Sequence, residues 1–108
     1  MEEQRSFCIA LVTTASMEEA RAIAHSLVEQ KLAACINILP IQSIYTWDGS
    51  VQEDNEWQLL IKTTASRWHE LTQTIQSLHS YEVPEIIGLP IEYGLAPYLS
   101  WIAAMTSP

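Results

Sequence analysis

The pair Asp48-Gly49 stands between two long runs of strand-forming residues, and it limits what this chain can fold into more than any other feature. A DG pair in that setting is the strongest short-range hairpin signal, because Gly tolerates the positive φ that a tight turn demands. Ala34 to Trp47 reads as one long strand, bent near Pro40, and Ser50 to Thr64 as its return. In the return strand, Gln52 to Glu56 is polar and is expected to project into water. Beyond it, Trp57, Leu59, Ile61 and Thr63 alternate onto one face.

The flanking segments must complete and cover that hairpin. Ser6 to Thr14 is a short apolar run that reads as a mostly buried strand. Ser16-Met17-Glu18-Glu19 fits a capping box, with Ser at the N-cap and Glu three residues on. Ala20, Ile23, Ala24, Leu27 and Val28 then recur at helical spacing, which predicts a helix from about Met17 to Lys31. Ser66 is a second N-cap candidate. Trp68, Leu71, Ile75 and Leu78 follow it at helical spacing, and Pro84 breaks the chain afterwards. Glu85 to Ile91 reads as a fourth strand with a free edge at Pro90. Pro97 suits the first turn of a last helix, with Tyr98, Trp101, Ile102 and Met105 on one face.

The order β-α-β-β-α-β plus a C-terminal helix predicts an α+β fold of the ferredoxin-like split βαβ type, an antiparallel sheet in one domain spanning 1–108. Right-handed crossovers place both main helices on one face. Yet the strands are apolar on both faces: Leu39 opposes Ile38, and Leu60 opposes Leu59 and Ile61. At about 25 cal/mol per Å², leaving such a face bare forfeits several kcal/mol, and a partner subunit is the simplest cover.

Charge narrows the function classes. Thirteen acids face five bases for a net charge of -8, and Arg5, Arg21, Lys31, Lys62 and Arg67 are scattered. No basic stripe exists to neutralise phosphates, so neither nucleic acid nor an anionic membrane is an expected partner. A metal cation or a small polar ligand is compatible, although the same charge also serves simply to keep a protein dispersed. The start MEEQRS lacks the basic and apolar segments of a signal peptide, and no apolar run reaches the roughly 20 residues of a membrane helix. The expectation is a cytoplasmic protein with Cys8 and Cys35 reduced. There is no GxSxG, no HExxH and no phosphate-cradling Gly-rich loop, so an enzyme is not expected.

Four blocks carry a resemblance: Lys31-Leu32-Ala33-Ala34-Cys35-Ile36-Asn37, Ser43-Ile44-Tyr45-Thr46-Trp47-Asp48-Gly49, His79-Ser80-Tyr81-Glu82-Val83-Pro84-Glu85-Ile86-Ile87, and Tyr98-Leu99-Ser100-Trp101-Ile102. In that order, over about Phe7 to Trp101, the chain resembles the CutA family, the divalent-cation-tolerance proteins. The resemblance implies a ferredoxin-like fold and a tight homotrimer similar to PII-type signalling proteins, with no defined chemistry. Some bacterial members are described as binding copper through a Cys ending the first strand and two adjacent His before the Tyr. This chain has Val12, Leu78 and His79 at those places, so one of three ligands remains.

Two sets of candidate residues follow. For a divalent metal such as copper, bound weakly, His79 is the candidate ligand, with the Cys35 thiol and the Glu82 and Glu85 carboxylates as possible company. No pair among them has zinc-ligand spacing, and a lone His is more often packed or solvated than ligating. For a small polar molecule, Cys35, Tyr45, Trp47, Lys62, Tyr81, Glu82 and Glu85 are candidate lining residues of a cleft between subunits, as in PII-like trimers. The alternative is plain subunit packing, with Lys62 paired to a carboxylate either way. No resident cofactor is expected.

Overall fold

A computed structural model describes residues 6–108. The hairpin forms as the DG pair dictates. Strand β2 (Cys35–Trp47) pairs antiparallel with β3 (Ser50–Thr64), and Trp47 lies opposite Ser50. Asp48 and Gly49 hold φ of 50° and 77°, the two left-handed positions of a primed turn. Strand β1 (Phe7–Thr14) pairs with β3 on one side and with β4 (Ile86–Pro90) on the other. The four-stranded sheet therefore runs β2-β3-β1-β4, antiparallel at every step, which is the ferredoxin-like order.

Helix α1 (Met17–Glu29) starts on Ser16, whose Oγ accepts the Glu19 N–H at 3.1 Å. It stops two residues before the spacing predicts. Lys31 turns left-handed at φ 60°, the Leu32 N–H closes onto the Leu27 carbonyl at 2.9 Å and the Lys31 N–H onto that of Val28 at 3.1 Å. That is a Schellman closure, and the buried Leu32 supplies its usual apolar contact. Helix α2 (Trp68–Leu78) departs from expectation at its start. Ser66 sits inside a 3-10 turn (Ala65–Arg67) with its hydroxyl 3.3 Å from that of Thr64, and no side chain caps the helix. Helix α3 (Ala96–Met105) has its Pro in the first turn as expected.

The sheet has one covered and one open face. Ala10, Val12, Leu59 and Ile61 point to the covered face and pack with Ala20, Ile23 and Leu27 of α1 and Leu71 and Ile75 of α2. Thr63 reaches the loop after α1, its hydroxyl donating to the Leu32 carbonyl at 2.7 Å. Gly88 of β4 lies under the Trp68 ring, where a Cβ would stand 2.8 Å from ring carbons. On the open face, Leu11 lies opposite both Leu60 and Ile87, and Ile9 opposite Lys62 and Leu89. Leu39, Ile87 and Leu89 remain 39%, 51% and 48% exposed there. Helix α3 crosses only the Thr64 end, where the Thr106 and Thr64 hydroxyls meet at 3.1 Å and Ile102 is buried. In the polar half of β3, Glu53, Asp54 and Asn55 project into water, Gln52 is half-buried and Glu56 is buried.

Candidate functional site

Because side chains alternate along β3, the residues that share a face with Lys62 are Leu60, Gln58, Glu56 and Asp54. The candidate residues distribute along this line in three groups, all on the open face or at its end.

The first group surrounds the segment after α2. The His79 backbone N–H still bonds to the Ile75 carbonyl at 2.9 Å, but the chain then leaves the helix without a ladder to join. Side chains take over. The Tyr81 N–H donates to His79 Nδ1 at 3.0 Å, which makes Nδ1 an acceptor and places the ring proton on Nε2. Nε2–H in turn donates to the Thr13 carbonyl at 2.7 Å. The His79 side chain is wholly buried, and both ring nitrogens are engaged within the chain. A metal would have to displace one of these bonds. Among the described residues no group of three or more His, Cys, Asp and Glu is placed to hold a metal ion. The Tyr81 hydroxyl donates to Glu56 Oε2 at 2.7 Å. Burial first, then that hydrogen bond and the carboxylate's charge, push the Tyr81 phenol well up from its ordinary value. Glu82 and Glu85 follow on an exposed arch that leads into β4.

The second group lies at the opposite end of β3. Lys62 faces Cys35 across the β2–β3 ladder. Its Nζ is 4.0 Å from the Cys35 sulfur and donates to the Asn37 side-chain oxygen. The expected carboxylate partner of Lys62 is not there among the described residues, since its cross-strand neighbours on this face are Ile9 and Cys35. The Tyr98 phenol sits beside the same thiol. Desolvation, then the charge of Cys35, raise its pKa, and its ring packs on Trp101 with centroids 5.6 Å apart.

The third group is the hairpin tip. Tyr45 donates its hydroxyl to Asp54, and Trp47, next to the turn, is 61% exposed. Ten residues of extended chain separate Cys35 from Tyr45, about 33 Å. Six separate Lys62 from Glu56, the acceptor of Tyr81, or about 20 Å. One chain thus joins Cys35 with Lys62, joins His79 with Tyr81, and sets Tyr45 close enough to the Tyr81–Glu56 pair for their charges to be felt, but leaves Lys62 and Cys35 apart from both.

Two members of the first group escape a reading of the sequence. Glu56 looks like one more acid in a polar run, and its only signal is a parity shared with the open face. Glu19 looks like the closing residue of a capping box; in the fold its carboxylate reaches Ser80 instead.

A split βαβ sheet with its helices on one face and the other left open, and no metal-holding cluster among the described residues, defines a small α+β protein of the ferredoxin-like type. The family follows from comparison: the model of the "CutA1 divalent ion tolerance protein" family matches residues 8–105. The chain belongs to that family. It is 48% identical over 99 residues to the divalent-cation tolerance protein CutA of Thermus thermophilus, covering 91% of this chain and 96% of that one. It is 45% identical to the human protein CutA over 102 residues, 94% of this chain and 57% of the human protein; it likewise spans 65% of the Xenopus laevis homologue. The solved structure of CutA1 from Shewanella sp. SIB1 superposes with a TM-score of 0.93 at 34% identity, covering 98% of this chain and all of that one. The structure described as a periplasmic divalent cation tolerance protein CutA from Archaeoglobus fulgidus gives 0.92 at 38%, covering 94% and 99%.

Proposed function

We propose that this divalent-cation tolerance protein works as a homotrimer and binds a small polar molecule in the clefts between subunits, as a PII-like sensor module. One observation carries the reading: two polar groups, Lys62–Cys35 and Tyr81–Glu56, stand about 20 Å apart on a single face whose Leu39, Ile87 and Leu89 are left half-exposed. A neighbour that covers this face also brings its own copy of either group to the other. In such a cleft Lys62 pairs with an anionic or polyhydroxyl ligand, while Glu82 or Glu85 accepts a hydroxyl or amine proton. The chain acts by binding and not by catalysis, and its two free thiols suit a reducing, cytoplasmic setting.

Direct binding of copper or another divalent metal is the second reading. It is favoured by the names of the relatives and by the half-buried Cys35 thiol. The engaged nitrogens of His79 weigh against it. Calorimetric titration of metal-stripped protein, first with copper(II) and then with a panel of small polar metabolites, separates the two. The expected result is copper(II) binding no tighter than about 1 μM, with a metabolite signal lost in Lys62→Ala. Nanomolar copper binding abolished by His79→Ala would overturn the sensor reading in favour of the metal one.

A further inference from the structure

Glu19 breaks the local rule that its position announces. In an S-x-x-E start, the Glu side chain ordinarily folds back on the N-cap's own N–H. Here the Ser16 half of the box forms, but the Glu19 carboxylate turns away and grips a residue 61 positions along the chain. Oε2 accepts the Ser80 N–H at 2.6 Å and Oε1 accepts the Ser80 hydroxyl at 3.1 Å. The side chain is only 16% exposed, and Oε2 stands 3.8 Å from His79 Nδ1. Places where a local preference is overridden by a distant contact are where a fold invests in position.

We propose that Glu19 is a positioning residue for the candidate cleft: by clamping Ser80 it fixes where Tyr81 and the Glu82–Glu85 arch stand. The consequence for ligand rests on the cleft reading above; the clamp itself does not. The need for a clamp comes from the backbone. Residues 79–85 lie between α2 and β4 and belong to neither. The Ser80 N–H has the Glu19 carboxylate and the Tyr81 N–H has His79 Nδ1, so side chains supply what a ladder would have supplied. Three elements hold the beginning of the segment: α1 through Glu19, β1 through Thr13, and β3 through Glu56. The end is fixed where Ile86 enters β4 opposite Val12. Between these anchors the arch is presented to solvent, with Val83 79% exposed. Of the three anchors, Glu19 alone makes two bonds to one residue, and both are charge-assisted, the stronger kind.

Hydrogen–deuterium exchange read by peptide mass tests the proposal on the intact chain. Glu19→Ala should raise exchange in the 79–85 peptide by at least about tenfold, with β1 and β3 peptides unchanged and the oligomer mass retained. Glu18→Ala, which removes an exposed acid from the same helical turn, should leave that peptide as in the parent, since any effect on the helix dipole is shared by both variants. Glu19→Gln, which preserves size and one acceptor oxygen, should fall between the two. If Glu19→Ala opens every peptide alike, or leaves 79–85 protected, Glu19 is not a clamp and the proposal fails. If 79–85 opens as expected while the parent protein binds nothing in the metabolite panel, the cleft reading fails and the clamp stands.

Discussion

Tyr81 has its hydroxyl against a buried carboxylate, and this gives it a pH signature. Burial and the Glu56 hydrogen bond keep the phenol protonated in the folded state above the ordinary tyrosine value of 10.0. In the unfolded chain it ionises at that ordinary value. The group's contribution to stability is therefore full below about pH 10 and is lost as pH rises from there through the raised folded value. The unfolding midpoint, followed by circular dichroism, should decline above about pH 10, and Tyr81→Phe should flatten that decline. An identical alkaline slope in parent and variant would show that Tyr81 does not contribute. Both partners of this network illustrate what single residues conceal. Tyr81 is visible in the sequence as part of a block with His79 and Glu85. Glu56 and Glu19 are invisible as partners, because nothing local says that an acid in a strand or a first helical turn will be met by a loop far along the chain.

Elements were far more legible than partners. The strand bounds of β3 follow from the alternation of Trp57, Leu59, Ile61 and Thr63 and from the turn residues before it, and the observed strand is the predicted one. The misses lie at ends. Lys31 leaves α1 because burying Leu32 makes a left-handed residue worthwhile there, an outcome of packing and not of propensity. Ser66 fails as a cap because the chain arrives from β3 already in a 3-10 turn. A further packing constraint at this scale is Gly88, which no spacing rule singles out. Its Cα faces the Trp68 ring of α2, and Gly88→Ala puts a methyl 2.8 Å from that ring. The helix or the edge strand must give way, at a cost of about 1–3 kcal/mol. Urea denaturation of the variant should show this as a lower midpoint with an unchanged slope. An unaffected midpoint would mean that the β4–α2 contact is loose.

At the scale of the whole molecule, the sheet's bare face decides behaviour in solution. Leu39, Ile87 and Leu89 are half-exposed in one chain, together with the flanks of Ile9, Leu11 and Leu60. Light scattering at micromolar concentration should give a mass near three times 12.2 kDa. Leu89→Asp, which buries a charge if the face is covered, should lower that mass. A parent protein that scatters as a single chain would remove the basis for a shared cleft. The covered face and the open one were both readable in the strand pattern; which residues meet across an interface was not, because a neighbour's register leaves no mark in one chain's alternation.

The long β2–β3 arm carries one more consequence, for how genes of this kind can change length. Each residue of the arm is tied by pairing to a partner and by pleat to a face, from Cys35 opposite Lys62 to Trp47 opposite Ser50. Deleting one residue midway would turn every side chain beyond it over, bringing Tyr45 and Trp47 to the side now held by Ile44 and Thr46. Deleting two from each strand would shorten the arm and leave the faces intact. Viable insertions and deletions in this arm should therefore come in even steps, matched on both strands, unless a bulge absorbs the odd residue.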